Sequence, residues 1–505
     1  MEKEQERFIH NIDHGADSTY HQRIDKDSTH ETIGYRQPLC QKLRENRRFR
    51  AKFTYSIVQC FSYMLLGWMK AQIGPSFADI LRIADASLEQ GGIIRTVYYV
   101  GVVLGCLACA VLFLRIPTPL LSAAIFAVAS VDIAAIPWCS NFTAMTITHF
   151  IQGWCFGIYD TITFAEAVRI WKNHSKSYMQ VVAFGFSLAS VLSPLASAPF
   201  LTEKKYQSMP SSNFTQQDIS NMSYETNSSV HTQLTLEHDQ IWVEIEPETS
   251  NFYIAYTITA SLTSIACVLL FTVWILYRDQ FRIEYTNETK TTEADESVKE
   301  QSHDQLENKP MLTPKRKVLN LIMMSVLFGV YTSVDYTFTD YLTLYCVRQL
   351  YWSTQDGAFL TSIVFVASVT SRFSAIFLVR VLRLDIYMGI LLCILIGSLI
   401  GMVFIAHTMW SPGMWVCCAF IGVATGPIPG ALVSWTNESF VPVTGKVSSA
   451  LLVSAFIGAT INPPILSHLF SEAAVWFTYL FTIESILTFL IFIFAFILSR
   501  SSKSS

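Results

Sequence analysis

A helix needs about 20 mainly apolar residues to cross the hydrocarbon core of a bilayer. On that measure the 505-residue sequence offers twelve candidates, at 53–73, 93–114, 119–138, 142–168, 177–199, 252–277, 318–345, 357–379, 386–407, 414–434, 447–467 and 474–498. The fourth and seventh are the most polar. Two connections stand out for length. The first, 201–251, follows the fifth run; the second, 278–317, is charged, rich in Gln and Glu, lacks apolar periodicity and is expected to be largely disordered. The pattern therefore predicts a hydrophilic segment 1–52, a six-helix bundle over 53–277, a linker 278–317, a second six-helix bundle over 318–498 and a tail 499–505.

Composition agrees with this reading, because 51% of the residues are hydrophobic and only 15% charged. Basic residues decide the orientation. The cluster from Lys42 to Lys52, Arg115, Arg169, Lys172, Lys176, Arg278, Lys315, Arg316, Lys317, Arg380, Arg383, Lys446, Arg500 and Lys503 all fall on one side, which is then the cytoplasm. Both termini are expected inside, in a multi-pass protein of the plasma membrane. The 201–251 connection falls outside and carries the sequons at Asn213, Asn221 and Asn227, which are expected to be glycosylated. Residues 1–50 lack the apolar core and cleavage site of a signal peptide, so the first span is expected to serve as an uncleaved signal-anchor.

The net charge of −4 forms no basic patch, which gives nucleic-acid binding little support. The eleven cysteines fall mostly within apolar runs and read as packing residues, although Cys139 and Cys346 are candidates to meet on the outer side. Neither a metal-ligand cluster nor a nucleophile set is apparent, nor is a phosphate-binding G-x-x-x-x-G-K-[ST] loop, so no cofactor, metal or enzymatic activity is expected.

Six spans, a long cytoplasmic connection and six more spans is the layout of a major facilitator carrier, in which two helical bundles enclose a central solute site. Particular stretches go further. The SW…VTGK core of PIPGALVSWTNESFVPVTGKVSSALLVSAFIGATINPPIL at 427–466 resembles the sodium-dependent glucose transporter-like branch of the major facilitators. Asp160-Thr161 with Trp171, then Tyr178-Met179-Gln180 and Pro194…Pro199-Phe200-Leu201, is similar to that branch's D-T-G-x-N…W…Y-M-Q…P-F-L run. Ile73-Gly74-Pro75-Ser76 and Ser371-Arg372 also match. The resemblance implies the twelve-helix major facilitator fold, an all-α membrane protein, with a hexose as solute and sodium as coupling ion.

The chain departs from the branch at several positions. Ile162 and Phe164 replace the Gly and Asn of D-T-G-x-N, Asn437 replaces the acid of S-W-A-E, and the eleventh-span acid is missing around Gly458-Ala459-Thr460. The seventh-span acid is missing near Ser333, with Asp335 close by.

A carboxylate inside a span costs roughly 2.5–3.5 kcal/mol on insertion scales, so Asp160 needs a wet cavity or a partner. At 100° per residue, His149, Gln152, Phe156, Asp160 and Thr163 share one face of the fourth span within an arc of roughly 80°. Carboxylate, amide and aromatic groups in one stripe suit a sugar's hydroxyls and its C–H face. Direct solute or ion contact and a structural inter-helix pair are both open for Asp160. Tyr331 and Trp435 complete the candidate solute site, with Trp435 and Trp68 alternatively interfacial anchors. Asp335, beside Tyr331, joins Asp160 as the candidate for binding a coupling Na⁺ or H⁺, while Asp340 is expected to pair near the surface with a base such as Arg348. Arg372 requires an acid, a carbonyl cluster or an anionic solute. Gly426, Pro427 and Pro429 in the tenth span fit a bending or gating helix, as part of the Gly422, Gly426, Gly430 series.

These features predict a monomeric carrier for a small polar solute, foremost a hexose such as glucose, working by alternating access with the lipid bilayer as its surroundings. The alternative is a non-transporting membrane adaptor or receptor that keeps the carrier fold.

Overall fold

The computed structural model of the chain describes residues 44, 46–113, 115–171, 175–202, 205–210, 235–237, 240–245, 251–299, 314–440 and 445–504. Within residues 1–54, the described part is chiefly the opening turns of the first helix, where Phe49 and Phe53 stack with ring centroids 6.2 Å apart. Tyr55–Ser505 make up the compact unit that holds the helix bundle.

The helices are α1 (Arg47–Ile83), α2 (Leu88–Leu112), α3 (Thr118–Ala135), α4 (Phe142–Trp171), α5 (Ser175–Ser197), α6 (Phe252–Lys299) and α7 (Pro314–Gln349). They continue as α8 (Thr354–Val381), α9 (Leu384–Thr408), α10 (Ser411–Thr425), α11 (Ile428–Ser439), α12 (Gly445–Glu472) and α13 (Trp476–Ser504). Local chemistry sets several ends. Ser87 caps α2 in a capping box with Gln90, and Ser353 accepts from the Asp356 amide to start α8. Met409 closes α9 in the left-handed conformation, φ 51°.

Among the described residues, ten membrane spans, with α10 and α11 counted together, are long and apolar enough to cross a bilayer. The membrane-length helices outside that set are α1 and α4. Both carry charge along their length, including Lys70 and Asp79 in one, Asp160 and Glu166 in the other. All four of those side chains are buried, so the polarity that weakens the hydropathy signal faces protein.

Apolar side chains gather into two cores. One draws on α1 to α6, from Tyr55 and Leu66 to Tyr256 and Leu270, and borrows Phe456 and Ala459 from α12. The other draws on α7 to α13, from Leu327 and Tyr345 to Phe477 and Phe481, and borrows Phe77, Leu81 and Leu88.

Glycines let the helices of each core touch backbone to backbone. A Cβ on Gly153 or Gly157 of α4 would lie 2.0 Å from the Tyr98 carbonyl oxygen or 2.1 Å from that of Val102, both on α2. In return, Gly101 and Gly105 of α2 face the Phe150 and Trp154 carbonyls at 2.5 and 2.3 Å. The second core repeats the device between α10 and α8: Gly422 meets the Val364 carbonyl at 2.3 Å, and Gly426 that of Ser368 at 2.4 Å. Gly430, the third glycine of that series, has nothing within 4 Å of such a Cβ. Close packing thus accounts for two of the three.

Three sequence expectations change. The composition of 278–317 predicts no regular structure, yet α6 runs on to Lys299 after a break at Tyr277 (φ −123°, ψ 18°). Glu and Lys, abundant there, are good helix formers that need no apolar face to extend an existing helix. The 201–251 connection holds an antiparallel sheet of β1 (Lys205–Pro210), β2 (Thr235–Glu237) and β3 (Gln240–Ile245), in the order β1-β3-β2. Cys139 and Cys346 are both free thiols. The sequons at Asn213, Asn221 and Asn227 lie outside the described residues.

Candidate functional site

The charged interior residues collect where α1, α2, α4 and α5 meet α7, α8 and α12. Asp160 on α4 is buried and accepts a hydrogen bond from the Tyr63 hydroxyl of α1 at 2.7 Å. Tyr63 is held in turn against Phe164 and Phe186, at centroid separations of 6.3 and 5.3 Å. Further along α1, Lys70 is 7% exposed and its ammonium sits 3.4 Å above the Tyr336 ring of α7. An aromatic row continues across the same seam. Tyr99 meets Tyr336 at 6.2 Å, Tyr98 meets Phe156 at 6.3 Å, and Phe456 of α12 meets Tyr336 and Phe156 at 6.0 and 6.5 Å.

Asp340 is not at the surface with Arg348 as its partner, contrary to the sequence expectation. It is 2% exposed and takes the wholly buried Arg95 of α2, whose Nε and Nη2 approach Oδ2 at 3.1 and 2.5 Å. The Tyr99 hydroxyl donates to the same oxygen at 2.8 Å, while the rings of Tyr98 and Tyr99 flank the guanidinium. α7 remains buried well beyond the point where a sequence reading would place water, which is why the surface pairing fails.

The seam is shut at the end where α1 turns into α2. Gly74 abuts the Thr339 carbonyl, a Cβ there lying 2.4 Å away, and Gly92 abuts Ser467. Phe77 packs edge-on to Tyr341, whose hydroxyl bonds Ser467 at 2.8 Å. Glu89 and His468 form an exposed pair at the rim, 2.8 Å apart.

The break between α10 and α11 shows how Arg372 is satisfied. Proline has no N–H, so Pro427 and Pro429 leave the carbonyls four residues back, Val423 and Thr425, without their helical donors. Ser371 of α8 donates to the Val423 oxygen at 2.5 Å and Tyr331 of α7 to the Thr425 oxygen at 2.6 Å. Arg372 donates from Nε to the Gly426 carbonyl at 2.8 Å and from Nη1 to Ser187 of α5, also at 2.8 Å. Of the partners the sequence left open, Arg372 has taken a carbonyl and a hydroxyl. Tyr331→Phe is expected to strip the Thr425 carbonyl of its partner and to cost about 1–3 kcal/mol. A lower melting temperature of the purified protein in detergent, with Ser371→Ala giving a comparable drop, checks this.

The polar stripe of α4 is divided among several neighbours. Asp160 faces Tyr63, and Phe156 reaches the aromatic row. Gln152 and Phe156 line a void between α1, α3 and α4 with Leu66, Met69 and Phe126, roomy enough for about one water. The Gln152 carbonyl oxygen has no hydrogen-bond partner among the described residues. His149 donates from Nδ1 to the Met145 carbonyl at 2.9 Å, and Thr163 gives its hydroxyl to the Tyr159 carbonyl at 2.9 Å. Asp335 lines a matching void between α7, α8, α9 and α10, with Phe338, Leu399 and Thr425, and lies within the electrostatic reach of Lys70 and Arg372. Trp435 stands apart, between Phe440 and Phe492 at 4.9 and 5.2 Å in the second core. Trp68 donates to Thr259 at 2.9 Å, an interior contact unlike that of an interfacial anchor.

Two cores meeting along a polar, aromatic seam define a polytopic membrane protein with the major facilitator fold. The family model described as Major Facilitator Superfamily matches residues 248–463. The mouse protein named sodium-dependent glucose transporter 1A is 21% identical over 410 residues, which is 81% of this chain and 88% of the relative. The Danio rerio sodium-dependent glucose transporter 1 is 20% identical over 419 residues, 83% of this chain and 64% of the relative. The resemblance carried by the Asp160-Thr161 and SW…VTGK motifs therefore extends over most of the chain. Among solved structures, the xylose transporter XylE from E. coli, partially occluded and inward-open, superposes with a TM-score of 0.60 at 12% identity, covering 87% of this chain and 98% of that one. A D-xylose-proton symporter gives 0.61 at 13% identity, covering 87% and 97%.

Proposed function

We propose that the protein is a carrier that moves a hexose such as glucose across the plasma membrane by alternating access, as a monomer with both termini in the cytoplasm. The observation that carries this reading is the Tyr63–Asp160 pair set beside the aromatic row of Tyr98, Phe156, Tyr336 and Phe456. A carboxylate accepts sugar hydroxyls, and aromatic faces pack the apolar side of a pyranose ring. The glucose and xylose transporters among the similar proteins support the same solute class.

With the basic residues on the inside, the shut end of the seam faces outward, and the two halves rock apart there to admit solute.

Uptake of radiolabelled glucose into vesicles tests the reading. Saturable uptake is expected, reduced about tenfold or more by Asp160→Asn at unchanged surface amount, since a lost charged hydrogen bond is worth about 1.5–3 kcal/mol. Absence of uptake for a whole panel of sugars and related polar solutes would favour the adaptor reading.

A further inference from the structure

Glu484 of α13 is a carboxylate in a membrane-crossing helix, and the solute site does not use it. It is half-buried, and among the described residues it forms no ion pair with a lysine, arginine or histidine. A lone carboxylate is costly at such a position and calls for a compensating positive charge. What the structure places beside it is an amide. Asn462 of α12, 1% exposed, donates from Nδ2 to Glu484 Oε2 at 3.1 Å and to the Thr337 hydroxyl oxygen of α7 at 2.7 Å. The Ser333 carbonyl, one turn earlier on α7, stands 3.5 Å from the same nitrogen and accepts the Thr337 hydroxyl proton.

Backbone contact fixes this arrangement. One turn back along both helices, a Cβ on Gly458 of α12 would lie 2.0 Å from the Gly329 carbonyl oxygen of α7. With the two backbones that close, a side chain as short as that of Asn462 reaches Thr337. The other end of the amide is left over: Asn462 Oδ1 is buried and has no hydrogen-bond partner among the described residues. A buried amide oxygen without a donor is uncommon and costly, and needs a reason.

Oxygens from a carboxylate, a hydroxyl and a backbone carbonyl therefore surround the place where Nδ2 stands, and the unpartnered Oδ1 belongs to the same amide. The two ends of an amide are nearly equal in size. A half turn of the group takes its N–H donors out of the ring of oxygens and presents Oδ1 to it. Four oxygens with one negative charge among them suit a small monovalent cation. Ca²⁺ takes six to eight oxygen ligands and Mg²⁺ a full octahedron. A proton needs one acceptor and would leave Thr337 and Ser333 with no part in binding it.

We propose that Glu484, Asn462 and Thr337, with the Ser333 carbonyl, form a binding site for a small monovalent cation such as Na⁺, in which the Asn462 amide turns from donor to ligand. The site ties α7, α12 and α13 together. α7 also carries Tyr336 of the aromatic row, so a cation bound on one face of that helix steadies the helix that lines the seam.

The full-length purified protein is melted in detergent in NaCl, KCl and choline chloride at equal ionic strength. The wild type is expected to melt about 2 °C or more higher in NaCl than in choline chloride, saturably, with a smaller rise in KCl. Glu484→Gln keeps the shape of the side chain and removes its charge, and is expected to lose the sodium-specific rise. Thr337→Val removes the hydroxyl at nearly equal size, and should raise the sodium concentration at half-effect about tenfold. Asp335→Asn should keep the full rise.

Absence of a sodium-specific rise in the wild type overturns the proposal, as does a rise that Glu484→Gln retains or that Asp335→Asn abolishes. A melting temperature that ignores sodium but follows pH, and loses that dependence in Glu484→Gln, would make Glu484 a protonated acid and overturns it too. If Glu484→Gln does not fold, Thr337→Val decides, and an unchanged half-effect concentration overturns the assignment. The series needs no solute, so a failure of glucose uptake would defeat the carrier reading and leave the cation site to be judged on its own.

Discussion

Replacing Gly153 by valine is expected to abolish the folded protein. The α2–α4 contact is made of backbone: a Cβ at Gly153 would stand 2.0 Å from the Tyr98 carbonyl oxygen, and neither helix can yield alone because Gly101, Gly105 and Gly157 fix the same separation along the contact. No rotamer relieves a clash between a Cβ and a carbonyl, so the helices must move apart by about an ångström or more, uncovering the polar face of α4. Overpacking in a well-packed core typically costs about 1–3 kcal/mol when side chains can adjust, and here the obstructing atom is main chain. Loss of the monodisperse peak after detergent extraction and gel filtration checks this. Gly430→Val, in the α10–α11 series but facing open space, should extract like the wild type.

The second large effect is expected at the buried pair between the halves. Arg95→Met leaves Asp340 charged with no cation in hydrogen-bonding range, and breaking one member of a buried pair costs about 3–5 kcal/mol. Removing both partners, with Arg95→Met and Asp340→Leu, should recover most of that stability, because two apolar residues of similar volume leave no group unsatisfied. Denaturation midpoints of the wild type, Arg95→Met and the double variant provide the measurement. A double variant as unstable as Arg95→Met alone would show that Arg95 is needed by something other than Asp340.

Long apolar runs made the helices and their order legible, since crossing a bilayer demands a length and polarity that few other structures require. The Asp160-Thr161 and SW…VTGK motifs carried the fold assignment further. The failures have physical causes. Hydropathy ends the first span at residue 73, three residues past Lys70, and nothing in the sequence singles that lysine out. The helix instead runs to Ile83, because IGPSFADILRI is helical without being uniformly apolar, and Lys70 is thereby left deep in the seam. Asp340 is misplaced by the sequence for a similar reason: its partner lies 245 residues away, and no local spacing announces it. The helical-wheel reading of α4 identifies residues that share a face, yet one face of a helix meets several neighbours. Gln152 therefore lines a void walled by α1 and α3 while Asp160 bonds Tyr63 of α1.

The interruption of the tenth span carries one more implication. Two prolines free the Val423 and Thr425 carbonyls, and hydroxyls from α8 and α7 hold them, while Arg372 uses the next carbonyl, Gly426, together with Ser187 of the opposite half. Bending at this joint and releasing the grip on α5 are thus a single mechanical event. One guanidinium thus serves both the broken helix and the opposite half, so a bend at the joint displaces the group that holds Ser187.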